Sequence, residues 1–397
     1  MLNIEQPNHS TISLHHLGFR PFFLMAGLFA VISITVWLYL YHNPTSFSSL
    51  QFSPQRWHAH EMIFGYGLAV IAGFLLTAVR NWTNVQTTHG IPLLLLTACW
   101  LFARIFLFIP FPQAVFYGIG FDLLFAAWLC FAILTPIIKA RQWQQLTIWL
   151  TLVLLLFSNV VFYLGYLKIM PHGMHWGLYS GLYIIIALIL MMGRRVIPFF
   201  IEKGLDENFT PKNYKWVDVL ILPLMFGFWL VELSFAIPVL SSAVAALLAF
   251  TLSTRCWGWY TPGIWKKPLL WIIYLAYSWI TLGFALKAIS HVVFINPMLT
   301  VHAFAYGGIG LMTLGMMARV ALGHTGRNVF DPPQLISWMF YVAVAGSVCR
   351  VIMPLLLPDW SVRWVTVSQL LWIFAFALFV WLYAPMLIKP RIDGRYG

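Results

Sequence analysis

Apolar stretches long enough to span a membrane alternate with short polar breaks along almost the whole chain. About 20 apolar residues in a helix cross the hydrocarbon core of a bilayer, so each stretch predicts one transmembrane helix. The predicted helices occupy residues 20–41, 58–79, 90–109, 114–138, 146–168, 174–198, 216–236, 238–256, 268–291, 297–321, 335–357 and 363–388. The pattern predicts an all-α, polytopic integral membrane bundle of about twelve helices.

The polar stretch 201–215 (IEKGLDENFTPKNYK) divides this pattern into two halves. We therefore predict a single transmembrane domain, residues 1–397, with about six helices in residues 1–200 and about six in residues 201–397. The seventh and eighth predicted helices are separated by little more than Pro238.

Composition supports a membrane protein and argues against a nucleic-acid-binding one. Hydrophobic residues make up 61% of the chain and charged residues 9%, and the mean hydropathy is +0.84. Soluble proteins carry about a quarter charged residues. The net charge of +12 comes from Lys and Arg between apolar runs, where cytoplasmic loops hold them. The four cysteines lie in or beside apolar runs without a CxxC spacing, which indicates core residues.

The basic residues also predict the orientation. Loops after even-numbered predicted helices and the two tails hold most of the Lys and Arg, while the opposite side holds little beyond Arg56, Lys168 and Arg363. Since cytoplasmic loops carry the excess of positive charge, we expect both termini in the cytoplasm and an uncleaved first helix.

Two stretches of the sequence have histidine, glycine and threonine at matching positions. Residues 57–83 (WHAHEMIFGYGLAVIAGFLLTAVRNWT) include a segment that aligns without a gap on residues 302–325 (HAFAYGGIGLMTLGMMARVALGHT). Each begins with a histidine at a membrane helix and carries glycines at matching depth, which suggests a buried metal or cofactor between the two helices. The identical positions are His60/His302, Gly65/Gly307, Gly73/Gly315 and Thr83/Thr325.

Six histidines are expected at one level, the outer face. Imidazole suits iron, copper and zinc, so the layer is a candidate metal site, and the alternative is a set of interfacial histidines bonded to carbonyls. On a regular helix His58 and His60, which are two residues apart, would point about 200° apart, whereas His172 and His175, which are three apart, would share a face. The six are His58, His60, His172, His175, His291 and His302.

Other ionisable residues are candidates for supporting roles. Glu61 would orient a ligating histidine or carry protons, or else pair with Arg56 or Arg104. If the cofactor is haem, Arg56, Arg104 and Arg350 would hold its propionates, or else they reach toward lipid headgroups. Asp122 and Glu232 are interpreted as ion-pair partners rather than proton carriers.

A second group of basic residues is expected at the inner face. Its ordinary interpretation is positive-inside topology with anionic-lipid contact, which we favour over a structural lock or an anion site. Its members are Arg194, Arg195, Arg319, Arg327 and His324.

Four motifs in this order resemble the NnrS family over essentially the whole chain. They are LGFRPFFLMAGLFA (17–30), residues 57–83 above, MGRRVIPFF (192–200) and MTLGMMARVALGHTGR (312–327). Where the family often reads VPNWTG, this chain has VRNWTN, with Arg80 and Asn84. The resemblance implies a bacterial inner-membrane protein of the nitric oxide stress response and denitrification that contains haem and copper.

We combine this resemblance with the histidine layer in one ligand hypothesis. His60 and His302, at matched positions, are assigned to a b-type haem as axial ligands, with Arg56, Arg104 and Arg350 as candidate propionate partners. His172 and His175, with His58 as the third imidazole, are assigned to copper. His324 lies too far inward for either centre.

The functional hypothesis is protection against nitric oxide and nitrosative stress at a histidine-ligated site near the periplasmic face. The site would bind nitric oxide or another diatomic ligand, or convert it as an oxidoreductase with an electron donor that the sequence does not name. Two alternatives stay open: a twelve-helix transporter, and a haem-based sensor without turnover. The predicted partners otherwise are membrane lipids, and no nucleic acid.

Overall fold

The computed structural model describes residues 12–46, 52–109, 111, 113–205, 209–235 and 237–397, and these residues form helices without any strand. Eleven described helices are long and apolar enough to cross a membrane, and one is shorter. This confirms the predicted all-α, polytopic architecture. The helices are α1 (Phe19–His42), α2 (Pro54–Thr83), α3 (Gly90–Phe106, the shorter one), α4 (Ala114–Lys139), α5 (Trp143–Tyr166), α6 (Gly173–Gly204), α7 (Lys215–Phe235), α8 (Pro238–Trp259), α9 (Pro268–Ile289), α10 (Pro297–His324), α11 (Gln334–Leu356) and α12 (Pro358–Ile388).

Prolines account for two of the helix boundaries. Pro238 begins α8, where its missing N–H costs nothing, and it separates α7 from α8 as the sequence indicated. The third predicted helix, 90–109, ends earlier, at Phe106. Pro110 follows in the sequence and disfavours the helical conformation just before it.

The helices divide into two compact units. Unit 1 comprises Met1–Gly181, Met317–Asn328 and Phe376–Gly397, and unit 2 comprises Leu182–Met316 and Val329–Ala375. The single transmembrane domain with halves 1–200 and 201–397 stays a prediction.

The two helices that share a sequence design are also the most enclosed. Within the most apolar window, 83% of α2 and 78% of α10 is buried, whereas most other spanning helices have half of that window buried or less. Both helices therefore present little surface to lipid, and their polar residues need partners inside the protein.

Both helices also widen at the same point. The residue after each matched histidine begins a π-helical segment, Glu61–Gly67 in α2 and Ala303–Gly310 in α10. The sequence analysis treated both as regular helices. A π-helical turn shifts backbone hydrogen bonds from the fourth to the fifth residue and is frequent at functional sites.

Matched glycines and threonines have matched structural roles. A Cβ atom on Gly73 would lie 2.8 Å from Phe23, and one on Gly315 would lie 2.8 Å from Ile272. At the far end of each helix, Thr83 donates to the carbonyl of Val79 and Thr325 to that of Ala321, both at 2.7 Å. The likeness between α2 and α10 is therefore one of conformation as well as of sequence.

In unit 1, α5 and α6 approach each other backbone to backbone. A Cβ atom on Gly177 would lie 2.6 Å from the carbonyl oxygen of Ser158 and from the amide nitrogen of Phe162. Gly165 and Gly173 meet at a similar distance. Glycine is required here because any side chain would push two backbones apart.

We predict that Gly177→Ala lowers the stability of the detergent-purified protein by about 1–3 kcal/mol, because the added methyl group overpacks this contact. Gly120→Ala is the matched control, since nothing lies within 4 Å of a Cβ at Gly120. Thermal unfolding followed by size-exclusion chromatography measures both. Equal unfolding midpoints for the two variants would contradict the close α5–α6 contact.

The C-terminal segment, residues 389–397, packs against the start of α1 within unit 1. The buried Arg20 side chain donates to the carbonyls of Leu387 at 2.8 Å, Lys389 at 2.7 Å and Gly397 at 2.9 Å. Tyr396 stacks on His16, with ring centroids 4.7 Å apart, and its hydroxyl donates to the His16 carbonyl at 2.9 Å. The segment thus covers the start of α1.

His16 precedes α1, and its pKa is lowered from 6.5 to about 4, mainly by burial and further by the charges of His15, Arg20 and His89. The unfolded chain therefore binds a proton between about pH 6.5 and pH 4 that the folded chain does not. Stability should fall as the pH drops through this window.

We predict that His16→Gln, which cannot take up this proton, flattens the decline of the unfolding midpoint between pH 6.5 and pH 4. His291→Gln, at an exposed histidine, should leave the decline as in the unsubstituted protein. Unfolding midpoints measured across this pH range test the prediction. An undiminished decline in His16→Gln would contradict it.

Candidate functional site

Unit 1 encloses four ionisable side chains within a membrane-spanning bundle. This buried quartet consists of His60 and Glu61 on α2, Arg104 on α3 and Asp122 on α4, and no member is more than 4% exposed. Ionisable groups inside a membrane are costly unless they pair, so their arrangement decides whether the helices can pack.

Arg104 joins the two carboxylates. Its Nε lies 2.8 Å from Glu61 Oε2, and its terminal nitrogen bonds Asp122 Oδ1. Glu61 Oε1 in turn lies 2.9 Å from His60 Nδ1. The alternative in which Glu61 pairs with Arg104 is therefore confirmed, and so is the interpretation of Asp122 as an ion-pair partner.

Two neutral residues on α5 complete the network. Asn159 Nδ2 donates to Asp122 Oδ2 at 2.7 Å, and the Tyr163 hydroxyl donates to the same oxygen at 2.8 Å. Asn159 Oδ1 lies 3.0 Å from His60 Nε2, and Asp122 Oδ2 lies 3.6 Å from that nitrogen. The sequence analysis missed Asn159 and Tyr163, although two polar residues four apart in an apolar run share a helix face.

These partners fix where the ring protons of His60 lie. The Asn159 amide nitrogen faces a carboxylate, which only accepts, so the amide oxygen faces His60 Nε2 and this nitrogen must donate. Nδ1 faces Glu61, whose carboxylate is held by Arg104, so Nδ1 donates as well. We therefore expect His60 to be an imidazolium, which together with Arg104 would balance the two carboxylates.

The quartet also caps the π-helical segment of α2. Arg104 donates to the Phe64 carbonyl at 3.4 Å, and Trp100 Nε1 donates to the Gly65 carbonyl at 3.0 Å. A Cβ atom at Gly65 would lie 2.9 Å from Glu61 Oε2, so glycine leaves room for the carboxylate. The irregular turn and the ion pairs therefore depend on each other.

The matched histidine in unit 2 has different partners. His302 is half-buried, and its Nδ1 lies 2.8 Å from the Met298 carbonyl oxygen. A carbonyl only accepts, so Nδ1 donates to it, and one Arg350 guanidinium nitrogen lies 3.1 Å from Nδ1 and 3.0 Å from Nε2. Donation from Nδ1 would leave Nε2 of His302 as the acceptor for the guanidinium.

The remaining candidate ligands have other surroundings. His58 stacks on Trp37 with ring centroids 4.6 Å apart, and His172 and His175 are exposed. His172 precedes α6 with φ +60°, so it does not share a helical face with His175 as the spacing suggested. Among the described residues, no three His, Cys, Asp or Glu side chains are grouped to hold a metal ion.

The candidate propionate partners are also distributed. Arg56 is exposed, Arg104 is held by Glu61 and Asp122, and Arg350 contacts His302. The roles of all these residues toward haem or copper stay predictions.

Glu232 is paired as interpreted, with Lys287 Nζ 2.6 Å from Glu232 Oε1.

The predicted inner-face basic group is divided between the two units. In unit 2, Arg194 of this group pairs with Asp218 at 2.9 Å. Arg255, which is not a member of the group, pairs with the same carboxylate at 2.6 Å. Arg319, Arg327 and His324 belong to unit 1.

The sequence model of a protein family described as NnrS protein matches residues 13–391. No curated protein matches the chain.

We predict that Arg104→Gln destabilises the protein by about 3–5 kcal/mol, because it leaves two buried carboxylates with one cation. The double variant Arg104→Gln with Asp122→Asn removes one charge of each sign and leaves His60 and Glu61 balanced. Its loss should be smaller than the sum of the single losses by about 0.5–3 kcal/mol.

Unfolding in detergent, measured for the two single variants and the double variant, gives this coupling. Arg363→Gln, at an exposed arginine that stacks on Trp360, is the control and should change little. Strictly additive losses would show that Arg104 and Asp122 do not act as a pair.

Proposed function

We propose, because the chain belongs to the NnrS family, that it is a haem- and copper-binding protein of the bacterial inner membrane that protects against nitric oxide. Protection would come from binding nitric oxide or from its redox conversion at a histidine site near the periplasmic face. The electron donor for a redox reaction is a partner still to be identified.

One structural observation carries this proposal. Each of the two most enclosed helices places a histidine directly before a π-helical segment, inside a bundle with very few charges. π-helical turns are frequent at functional sites, and a histidine beside each turn within an apolar bundle supports a ligand site.

His302 fits the role of a haem ligand. Its Nδ1–H is oriented by the Met298 carbonyl, which is the usual second contact of a metal-binding histidine, and its Nε2 bears the lone pair that a metal takes. Arg350 lies beside that nitrogen and has the fork geometry that binds a propionate. Haem would supply iron that binds a diatomic gas.

His60 does not fit that role in the arrangement described, because both of its ring nitrogens face oxygen acceptors. Ligation by His60 would require Nε2 to lose its proton and the Asn159 amide to turn away. We therefore propose His302 as the first ligand to test and keep His60 as the second.

Copper has weaker structural support than haem. His58, His172 and His175 do not form a three-histidine group among the described residues. Elemental analysis of the purified protein decides whether copper is bound, independently of which residues bind it.

The test is an absorption spectrum of detergent-purified protein, oxidised and reduced, with iron and copper counted in the same sample. We predict a haem Soret band with near-stoichiometric iron, and its loss in His302→Ala while the protein stays in the membrane. His60→Ala should lose haem only if the Asn159 amide of the unsubstituted protein turns away from His60 Nε2, so that this nitrogen can bind the iron. His291→Ala, at an exposed histidine of the same unit, is the matched control.

Protein produced with adequate haem supply that contains no haem would contradict the proposal and favour a transporter. Unchanged haem in both His302→Ala and His60→Ala would contradict the ligand assignment alone. Consumption of nitric oxide by haem-loaded protein with an electron donor separates redox conversion from sensing.

A further inference from the structure

Gln369 is a buried polar side chain in the part of α12 that belongs to unit 2. It is 5% exposed, and neither its amide nitrogen nor its amide oxygen has a hydrogen-bond partner among the described residues. An amide left unpaired away from water costs free energy, and the interior of a membrane-spanning bundle offers no bulk water to pair it. Such a group therefore points to a small molecule that it binds.

The helix that carries Gln369 meets the π-helical segment of α10. The Tyr306 hydroxyl of this segment donates to the Ser368 carbonyl at 3.2 Å, and the Tyr306 ring packs against Trp372 with ring centroids 4.8 Å apart. A Cβ atom on Gly310, at the end of the segment, would lie 2.6 Å from the Trp372 ring. Gln369 follows Ser368 directly and shares a helical face with Trp372, three residues further on. Its side chain therefore lies beside the π-helical segment.

His302 lies one helical turn from these contacts. It directly precedes the π-helical segment, and Tyr306 is four residues further along α10, a rise of about 6 Å. The contacts of Tyr306 and Gly310 occur in the same order along both helices, so α10 and α12 run parallel. Helical side chains tilt toward the N-terminus, which directs the Gln369 amide toward the level of His302.

α11 is the third helix at this junction. A Cβ atom on Gly346 would overlap the Tyr306 hydroxyl, so glycine is required where this hydroxyl crosses to α12. Arg350, one turn further along α11, contacts His302. His302, Arg350 and Gln369 therefore belong to one junction of three helices, in which the Gln369 amide is left for a ligand.

We propose that Gln369 donates a hydrogen bond to the diatomic molecule bound at His302, a role that rests on the haem site of the proposed function. The amide nitrogen carries two donors, and the oxygen of nitric oxide or carbon monoxide only accepts. Donors beside a haem-bound gas decide how it is held. Gln369 is neutral and acts on the gas, whereas the Arg350 guanidinium carries the charge that a propionate requires.

The experiment uses the full-length, haem-loaded protein with carbon monoxide, whose infrared stretch reports hydrogen bonds to its oxygen. Gln369→Met removes the amide while nearly keeping the side-chain volume. Ser347→Ala is the matched control, because Ser347 is a buried polar residue of α11 in unit 2 whose hydroxyl donates to the Val344 carbonyl of its own helix. The haem content of each sample is measured before carbon monoxide is added.

A hydrogen bond to the bound oxygen draws electron density from the iron onto the gas and weakens the C–O bond. We predict that Gln369→Met moves the C–O stretch to higher frequency at unchanged haem content, and that Ser347→Ala leaves it as in the unsubstituted protein. If Gln369→Met does not fold, Gln369→Leu makes the same comparison.

The two ways in which this role fails are distinguishable. An unshifted C–O stretch in a haem-loaded Gln369 variant would overturn the role of Gln369 alone, and water would then be the partner of the amide. Unsubstituted protein without haem would overturn the haem site, and the role of Gln369 with it.

Discussion

The charge balance around Arg104 is the constraint on which unit 1 depends. A spanning bundle has no water to solvate ions, so Glu61 and Asp122 can be buried only if cations accompany them. Arg104 is one cation and pairs with both carboxylates, and an imidazolium at His60 would be the other. The same guanidinium caps a carbonyl that the π-helical turn of α2 releases. Helix packing, the irregular turn and the histidine's protonation are therefore one coupled arrangement.

The matched histidine in unit 2, His302, has other surroundings. The Nδ1 of His302 lies 2.8 Å from the Met298 carbonyl of its own helix, so the ring needs no carboxylate beside it. The Arg350 guanidinium lies 3.0 Å from its Nε2. Two helices of similar sequence thus hold one histidine in a closed ionic network and the other beside a backbone carbonyl and an arginine. The second histidine is the one that we propose as a haem ligand.

The sequence predicted the architecture well, because bilayer thickness and internal hydrogen bonding leave few choices for long apolar runs. It also singled out His60, Glu61 and His302, since ionisable residues are rare in such runs. It could not predict the π-helical turn of α2, because the carbonyls of that turn accept hydrogen bonds from Trp100 and Arg104, which are distant in sequence. Nor could it show that Asn159 occupies His60 Nε2, or that His172 precedes its helix with a positive φ, since both are tertiary outcomes.

The most direct measurement is nitrogen-15 solid-state NMR of histidine-labelled protein in lipid, compared with His60→Gln to assign the resonance. We expect His60 to show two protonated ring nitrogens, as an imidazolium between Glu61 and Asn159 requires. A neutral tautomer at His60, or a ring nitrogen bonded to a metal, would contradict the charge-balanced arrangement of unit 1.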